Sequence, residues 1–232
     1  MNGNGKNIAI LLARLDSQRL PKKHFEKIGN DYLITHCLNR LKAGANYSIV
    51  LATSDREIDT PLADWANEAG IGVYRGEAHD LRSRIKNCIL KFEAERFARV
   101  NADSPFIEAA LIENGFDFIE NSDCDLYTNL FPRTFPYGYS VEVFRSKSFI
   151  DVMEQNKELE NVTTFFYENS DHFKIQNVSL ADKNYSALAL TVDTKEDLEK
   201  MRALYALNDQ LFNLPLEELV QLIKNYKKQQ HD

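Results

Sequence analysis

Five cations, Arg14, Arg19, Lys22, Lys23 and Lys27, crowd residues 11–27 against only two anions, Asp16 and Glu26. The whole chain carries a formal charge of −7, so this surplus is local and calls for an anion. Arginine grips phosphate oxygens bidentately and lysine acts as a point charge, so such a cluster at a strand end can hold successive phosphates. A solvated loop is the plainer reading. Asp103 and Asp193 form a second constellation. Each follows an apolar run, so both would project over one sheet edge, and two carboxylates from separate strand ends can hold a Mg²⁺ whose other ligands are waters and phosphate oxygens. Taken singly, Asp193 could be a helix cap and Asp103, before Ser104-Pro105, a turn residue. Asp123-Cys124-Asp125 is a D-x-D, a metal motif of nucleotide-sugar transferases, although two aspartates flanking a strand start would look the same.

Other chemistries lack support. The histidines at 24, 36, 79, 172 and 231 show no ligand spacing, and no nucleophile elbow, phosphate-binding loop or dinucleotide-binding glycine run is present. Gly3 and Gly5 precede the first strand, the wrong side for a cofactor turn. An acidic chain with pI near 5.3 lacks the broad basic surface of a nucleic-acid binder. Cys37, Cys88 and Cys124 are odd in number and form no C-x-x-C, which fits reduced thiols. No apolar run approaches the ~18 residues of a membrane span. The first seven residues lack a signal-peptide core, so the expected location is the cytoplasm.

The elements that must position these residues alternate. Residues 8–13 read as a short buried strand, and the cationic loop after it sits at its carboxyl end, where open α/β sheets bind ligands. Residues 31–42 make a helix ended by Gly44; 48–52 a strand leading to Thr53-Ser54-Asp55; 62–69 a helix closed by Gly70; 71–74 a strand leading to Arg75-Gly76-Glu77. A helix over 81–97 with Leu81, Ile85, Cys88, Ile89 and Phe92 on one face, a strand over 98–100 and a helix over 109–119 complete four strand–helix units. The right-handed crossover rule makes this a mostly parallel, doubly wound α/β sheet. After Asp125 the pattern breaks into an aromatic, proline-containing segment, 126–142, that would pack as loops and extended chain. Strands over 141–144 and 173–178, helices over 146–155 and 162–169, an apolar extended run over 187–192, a helix from Thr194 and a last helix over 215–226 come next, before a solvated tail. At 232 residues one domain is expected, with 126–180 as an embellishment.

Arg14-Leu15-Asp16-Ser17-Gln18-Arg19-Leu20-Pro21-Lys22-Lys23 resembles the RxxSxRLPxK signature of the sugar-activating cytidylyltransferases, most closely the spore-coat polysaccharide type, with 3-deoxy-manno-octulosonate and acylneuraminate enzymes as relatives. The similarity continues in order through Ala52-Thr53-Ser54-Asp55, Arg75-Gly76-Glu77, Ala102-Asp103-Ser104-Pro105, Phe135-Pro136-Tyr137-Gly138, Val141-Glu142-Val143-Phe144, Tyr167-Glu168-Asn169 and Thr191-Val192-Asp193-Thr194, nearly the whole chain. It implies a GT-A-like nucleotidyltransferase that binds CTP and Mg²⁺ at the strand ends. An acceptor oxygen, usually from an acidic sugar, attacks the α-phosphate and pyrophosphate leaves. By position, Arg14, Ser17, Arg19 and Lys23 would hold the triphosphate, with Ser54, Asp55, Arg75 and Asp103 completing the nucleotide site. Arg14, Lys23 and Asp103 would be catalytic, and Asp103 and Asp193 would ligate the metal. Asn129, Phe135, Tyr139 and Glu142 would meet the acceptor, and residues 126–142 would also serve a homodimer contact.

The chain departs from that pattern at Lys22, Ser140 and Asn161, where the spore-coat type keeps Gly, Asp and His, and at Asn101-Ala102-Asp103, where it keeps Thr-Gly-Asp. Three readings therefore stand: a CTP-dependent enzyme, a nucleotide-sugar glycosyltransferase using Asp123 and Asp125, and a nucleotide-binding homologue without turnover.

Overall fold

A computed structural model describes residues 6–44, 46–156 and 161–229; both terminal tails, and with them Gly3, Gly5 and His231, lie outside the described residues. The first strand, β1 (Asn7–Leu12), alternates its side chains between two cores. Ile8, Ile10 and Leu12 enter one and Ala9 and Leu11 the other, as the two-residue period of a strand buried on both faces requires.

A two-stranded ribbon, β2 (Lys27–Ile28) and β3 (Asp31–Tyr32), leads into α1 (Leu33–Lys42). Then come β4 (Ser48–Ser54), α2 (Thr60–Glu68), β5 (Gly72–Gly76), α3 (Leu81–Lys91), β6 (Arg96–Asn101) and α4 (Ala109–Glu120). The second half holds β7 (Leu126–Thr128), β8 (Glu142–Arg145), α5 (Ser146–Gln155), α6 (Val162–Glu168), β9 (Ile175–Asn177), α7 (Lys195–Leu207) and α8 (Leu216–Gln229). Seven strands form one mostly parallel sheet in the order β5-β4-β1-β6-β8-β7-β9, within which β8 alone runs antiparallel to its neighbours. Helices α1, α2 and α4 cover one face, and α3, α5 and α6 the other. A third core lies under α7 and α8.

The chain leaves β1 toward β4 and β5, then returns to place β6 on β1's other side. The carboxyl ends of β1 and β6 therefore flank a topological switch point, where such sheets leave a crevice. Residues 126–180 supply β7, β8 and β9 to this same sheet and α5 and α6 to one of its faces, with the 129–141 connection joining β7 to β8.

Three expectations change. The helix expected over 81–97 ends at Lys91, because Glu93 takes a left-handed φ of 51° and the Ala94 N–H turns back to the Ile89 carbonyl. Arg96 then already belongs to β6. Leu81, expected on the buried face, is 36% exposed. The run 187–192 is no strand of the sheet; it is pinned by an isolated bridge between Tyr137 and Ala189 and by the Val192 N–H donating to the Asp103 carbonyl at 3.0 Å.

Candidate active site

The cationic loop leaves β1 at Ala13 and is closed by the Lys22 N–H donating to the Leu15 carbonyl at 3.0 Å. Lys22 has φ 58°, ψ 21°, the left-handed conformation a side chain resists, and this turn delivers Lys23 into the protein. The loop is also held from beneath. Asp59, fully buried at the start of α2, accepts the Leu15 N–H at 2.7 Å, a hydrogen bond from Ser54 Oγ and one from Arg56 at 3.4 Å. Arg56 in turn pairs with Asp16 at 2.7 Å, and Arg14 with the other Asp16 oxygen at 3.4 Å.

Lys23 Nζ lies 2.7 Å from Asp103 Oδ2 and 2.8 Å from Asp193 Oδ1. Arg19 reaches the same Asp193 oxygen at 3.1 Å. Burial presses the Lys23 ammonium toward neutrality, but Asp103 and then Asp193 outweigh it and hold its pKa above the ordinary lysine value. Burial likewise raises Asp193, yet the Lys23 hydrogen bond and charge, then Arg19, hold its carboxyl below the usual range. Asp193 is not consumed as a helix cap. Thr194 caps α7, exchanging hydrogen bonds with Asp197 in a capping box, which leaves the Asp193 carboxylate facing Lys23. Two hard oxygen donors converging on one cation from two chain segments fit a Mg²⁺ that takes its remaining ligands from water and phosphate. Among the described residues no larger group of metal-ligating side chains gathers.

Beside these residues a cleft of about 240 Å³ opens between β1, β6 and the start of α3, lined by Leu12, Arg14, Arg84, His79, Asn101 and Asp103 among others. Arg14 and Arg84 both donate to the Ala78 carbonyl, and Arg84 also donates to that of Glu77 at 2.7 Å. Burial, then the like charge of Arg14, lowers the pKa of Arg84, a buried guanidinium whose Nε is unpartnered. His24 closes the floor. Its ring pairs with the Ala102 carbonyl at 3.3 Å, and burial, then the Lys23 charge, lowers its pKa to about 4, so it stays neutral near pH 7.

The structure thus gathers Arg14, Arg19, Lys23, Asp103 and Asp193, with Ser17 half-buried on the same loop. Three further residues expected at the nucleotide are engaged in bonds within the protein. Ser54 is fully buried and bonded to Asp59; Arg75 spends its guanidinium on the carbonyls of Ser54, Asp55 and Arg56; and exposed Asp55 pairs through its N–H with the Gly76 carbonyl. They shape the β4–β5 edge. On the acceptor side, Asn129 is buried with its side-chain amide clamped between the Tyr139 carbonyl and the Val141 N–H, and Phe135 and Tyr139 belong to the third core. Glu142 is buried and holds Arg99 at 2.9 Å and Tyr167 at 2.8 Å. Asp123 and Asp125 stand before β7, at the opposite end of the sheet. Lys174 takes Asp123, while Ser148 and the Lys174 N–H take Asp125, so the D-x-D has no part in this site. A cavity of about 590 Å³ between α5 and α6 lies at that same far end, around Asp125 and Phe173.

Asp59, Arg56, His24 and Arg84 carry no motif that singles them out. Arg84 does leave a signal: it falls on the buried helical stripe beside Ile85 and Cys88, where a charge needs a reason.

A doubly wound sheet with clustered cations and two convergent carboxylates at its switch point fits a nucleotidyltransferase. The cytidylyltransferase family model matches residues 8–231, and the chain belongs to that family. It is 26% identical over 226 residues to the spore coat polysaccharide biosynthesis protein SpsF of Bacillus subtilis, covering 92% of each chain. It is also 26% identical over 125 residues to the 3-deoxy-manno-octulosonate cytidylyltransferase of Bartonella tribocorum, about half of either chain (52% and 51%). A solved cytidylyltransferase from Leptospira borgpetersenii is similar with a TM-score of 0.87, 25% identity, and 97% and 96% coverage. The CMP:2-keto-3-deoxy-manno-octonic acid synthetase solved with CTP shares the fold at a TM-score of 0.66 and 19% identity, covering 87% of this chain and 99% of that one.

Proposed function

We propose that the enzyme transfers the cytidylyl group of CTP to a hydroxyl of an acidic sugar, giving a CMP-sugar for surface polysaccharide with release of pyrophosphate. The carrying observation is the convergence of Arg19 and Lys23 on Asp103 and Asp193, beside a cleft that holds Arg14. Transfer to the α-phosphorus needs positioning and charge neutralisation more than covalent chemistry. Arg14, Arg19 and Lys23 would neutralise the triphosphate and the departing pyrophosphate, with Ser17 on the same loop. Asp103 and Asp193 would hold a Mg²⁺, which supplies further charge neutralisation when bound. The acceptor oxygen bonds the α-phosphorus, the bond to the bridging oxygen of pyrophosphate breaks, and the hydroxyl proton passes to solvent.

The acceptor would lie along residues 129–141, whose shape Asn129, Phe135 and Tyr139 fix from beneath, with Glu142 at the end of the segment held by Arg99 and Tyr167. Exposed Phe131 and Tyr137 on that segment support its use in a homodimer as well. The relatives' spore-coat and sugar-acid roles favour this acceptor class. Intact placement of Arg14, Lys23, Asp103 and Asp193 favours turnover over mere nucleotide binding.

The test is calorimetry of the chain with CTP and Mg²⁺, together with pyrophosphate release over a panel of sugar acids. CTP binding and release that are lost in Asp103→Asn and kept in Asp123→Ala are expected. Absence of both CTP binding and release removes the proposal.

A further inference from the structure

We propose that Arg133 anchors a negatively charged group, carboxylate or phosphate, on the acceptor; the inference rests on the cytidylyl-transfer reading above. Arg133 sits half-buried on the 129–141 connection, and among the described residues its guanidinium hydrogen-bonds only neutral groups. Nη1 donates to Ser140 Oγ at 3.1 Å and to the Pro136 carbonyl at 3.4 Å, and the guanidinium carbon lies 4.0 Å from the centre of the Tyr137 ring. The carboxylate within electrostatic reach is Glu142, and both of its oxygens are spent, Oε2 on Arg99 at 2.9 Å and Oε1 on Tyr167 at 2.8 Å. Tyr167 is itself tied to Thr128 at 3.0 Å, so this network is closed without Arg133.

A guanidinium cannot shed its charge at physiological pH, and a partly desolvated charge without a directly paired counter-charge is unfavourable. Burial is indeed the main influence on Arg133, pressing its pKa down. The guanidinium lies over the Tyr137 ring, and Nε and Nη2 donate to no described residue, which leaves an edge of the fork suited to two oxygens of one anion. Position agrees with chemistry. The Tyr137 N–H donates to the Leu188 carbonyl and the Leu190 N–H returns to the Tyr137 carbonyl, both at 2.9 Å, so this turn lies against the strap that ends at Asp193. An anion held by Arg133 thus stands at the same end of the sheet as Lys23 and Asp103.

The experiment is calorimetry of the full chain with CTP and, separately, with four probes. Two are the sugar acids 3-deoxy-manno-octulosonate and N-acetylneuraminate; the others are N-acetylglucosamine 1-phosphate and neutral N-acetylglucosamine. Arg133→Gln removes the cation, and Ser140→Asp leaves it but supplies an internal counter-charge. Binding of an anionic probe that weakens about tenfold or more in both variants, while CTP affinity stays within about twofold, is expected. Partial recovery in Arg133→Lys adds support. Sugar acids responding alone identify a carboxylate, and the sugar phosphate responding alone identifies a phosphate. An anion affinity unchanged in both variants overturns the inference, as does a wild-type chain that binds CTP but none of the anions. So does a change confined to the oligomeric state, which would make the guanidinium a contact for a second copy. Arg133-dependent anion binding in a chain that fails to bind CTP keeps this site and removes the transfer reading instead.

Discussion

The buried carboxylate of Asp59 accepts the backbone N–H of Leu15 at 2.7 Å, tying α2 to the cationic loop across 44 residues of sequence. Asp59→Ala leaves the Leu15 N–H and the Ser54 hydroxyl without their acceptor, and unfolding in urea should show a loss of about 2–3 kcal/mol. Asp59→Asn keeps a carbonyl acceptor for Leu15 and should cost about 1 kcal/mol. CTP affinity should fall in the first variant and largely persist in the second, because the loop's backbone is what carries Arg14 and Arg19.

Lys22 occupies the left-handed region at φ 58° without a glycine's freedom. Relief of that strain in Lys22→Gly should exceed the glycine's added unfolded-state entropy and raise stability by about 0.5–1 kcal/mol. In a chain of this size that is about 1–4 °C in Tm, whereas Lys22→Ala, which keeps a Cβ in the same conformation, should gain nothing.

Two buried histidines set an acid limit. His24 is lowered to about 4 by burial and then Lys23, and His36 is lowered chiefly by burial where it stacks on Phe212 and meets the Ile28 carbonyl. Burial favours the neutral form of both in the folded chain, while the unfolded chain takes protons near pH 6.5. The unfolded state therefore binds more protons below that pH, so stability is full above about 6.5 and falls as pH drops toward 4. Urea midpoints measured across this range should decline in the wild type. His24→Asn and His36→Gln, which retain a donor for Ala102 and Ile28, should each flatten the slope.

Arg84 lines the cleft proposed for CTP from α3, with an Nε unpartnered among the described residues. Arg84→Met should weaken CTP binding by about tenfold in calorimetry with little change in helix content by circular dichroism. Unaltered CTP affinity would mean that this guanidinium serves only the Glu77 and Ala78 carbonyls.

Local features of the fold and site are legible in the sequence. An apolar run leading into Arg14, Arg19, Lys22 and Lys23 announces β1 and the cationic loop at its carboxyl end, and Thr194 with Asp197 announces a capped helix. The Asp103–Asp193 pairing is readable too, since both residues end apolar runs. Features that depend on distant partners are not. Asp59 looks like any acid before a helix until Leu15 is set beside it. Asn129, Phe135 and Tyr139 suit an acceptor wall, but aromatic and amide side chains serve a core equally well, and their burial places them there. Glu93 ends α3 in a left-handed conformation that no glycine signals, so the helical period runs on to Phe97 in the sequence alone. For 187–192, apolarity suggests sheet pairing, whereas its hydrogen bonds go to Tyr137 and Asp103.

Since β8 alone opposes its neighbours, β7 ends and β8 begins at the same edge of the sheet, and the 129–141 connection departs from and returns to the side that holds Lys23. The residues that would receive CTP come from the loops after β1, β5 and β6, none of which passes through that connection. On the proposed reading, recognition of the two substrates would fall to separate pieces of chain. Selection can lengthen, shorten or recharge one piece to suit a new sugar while the other keeps its grip on the nucleotide.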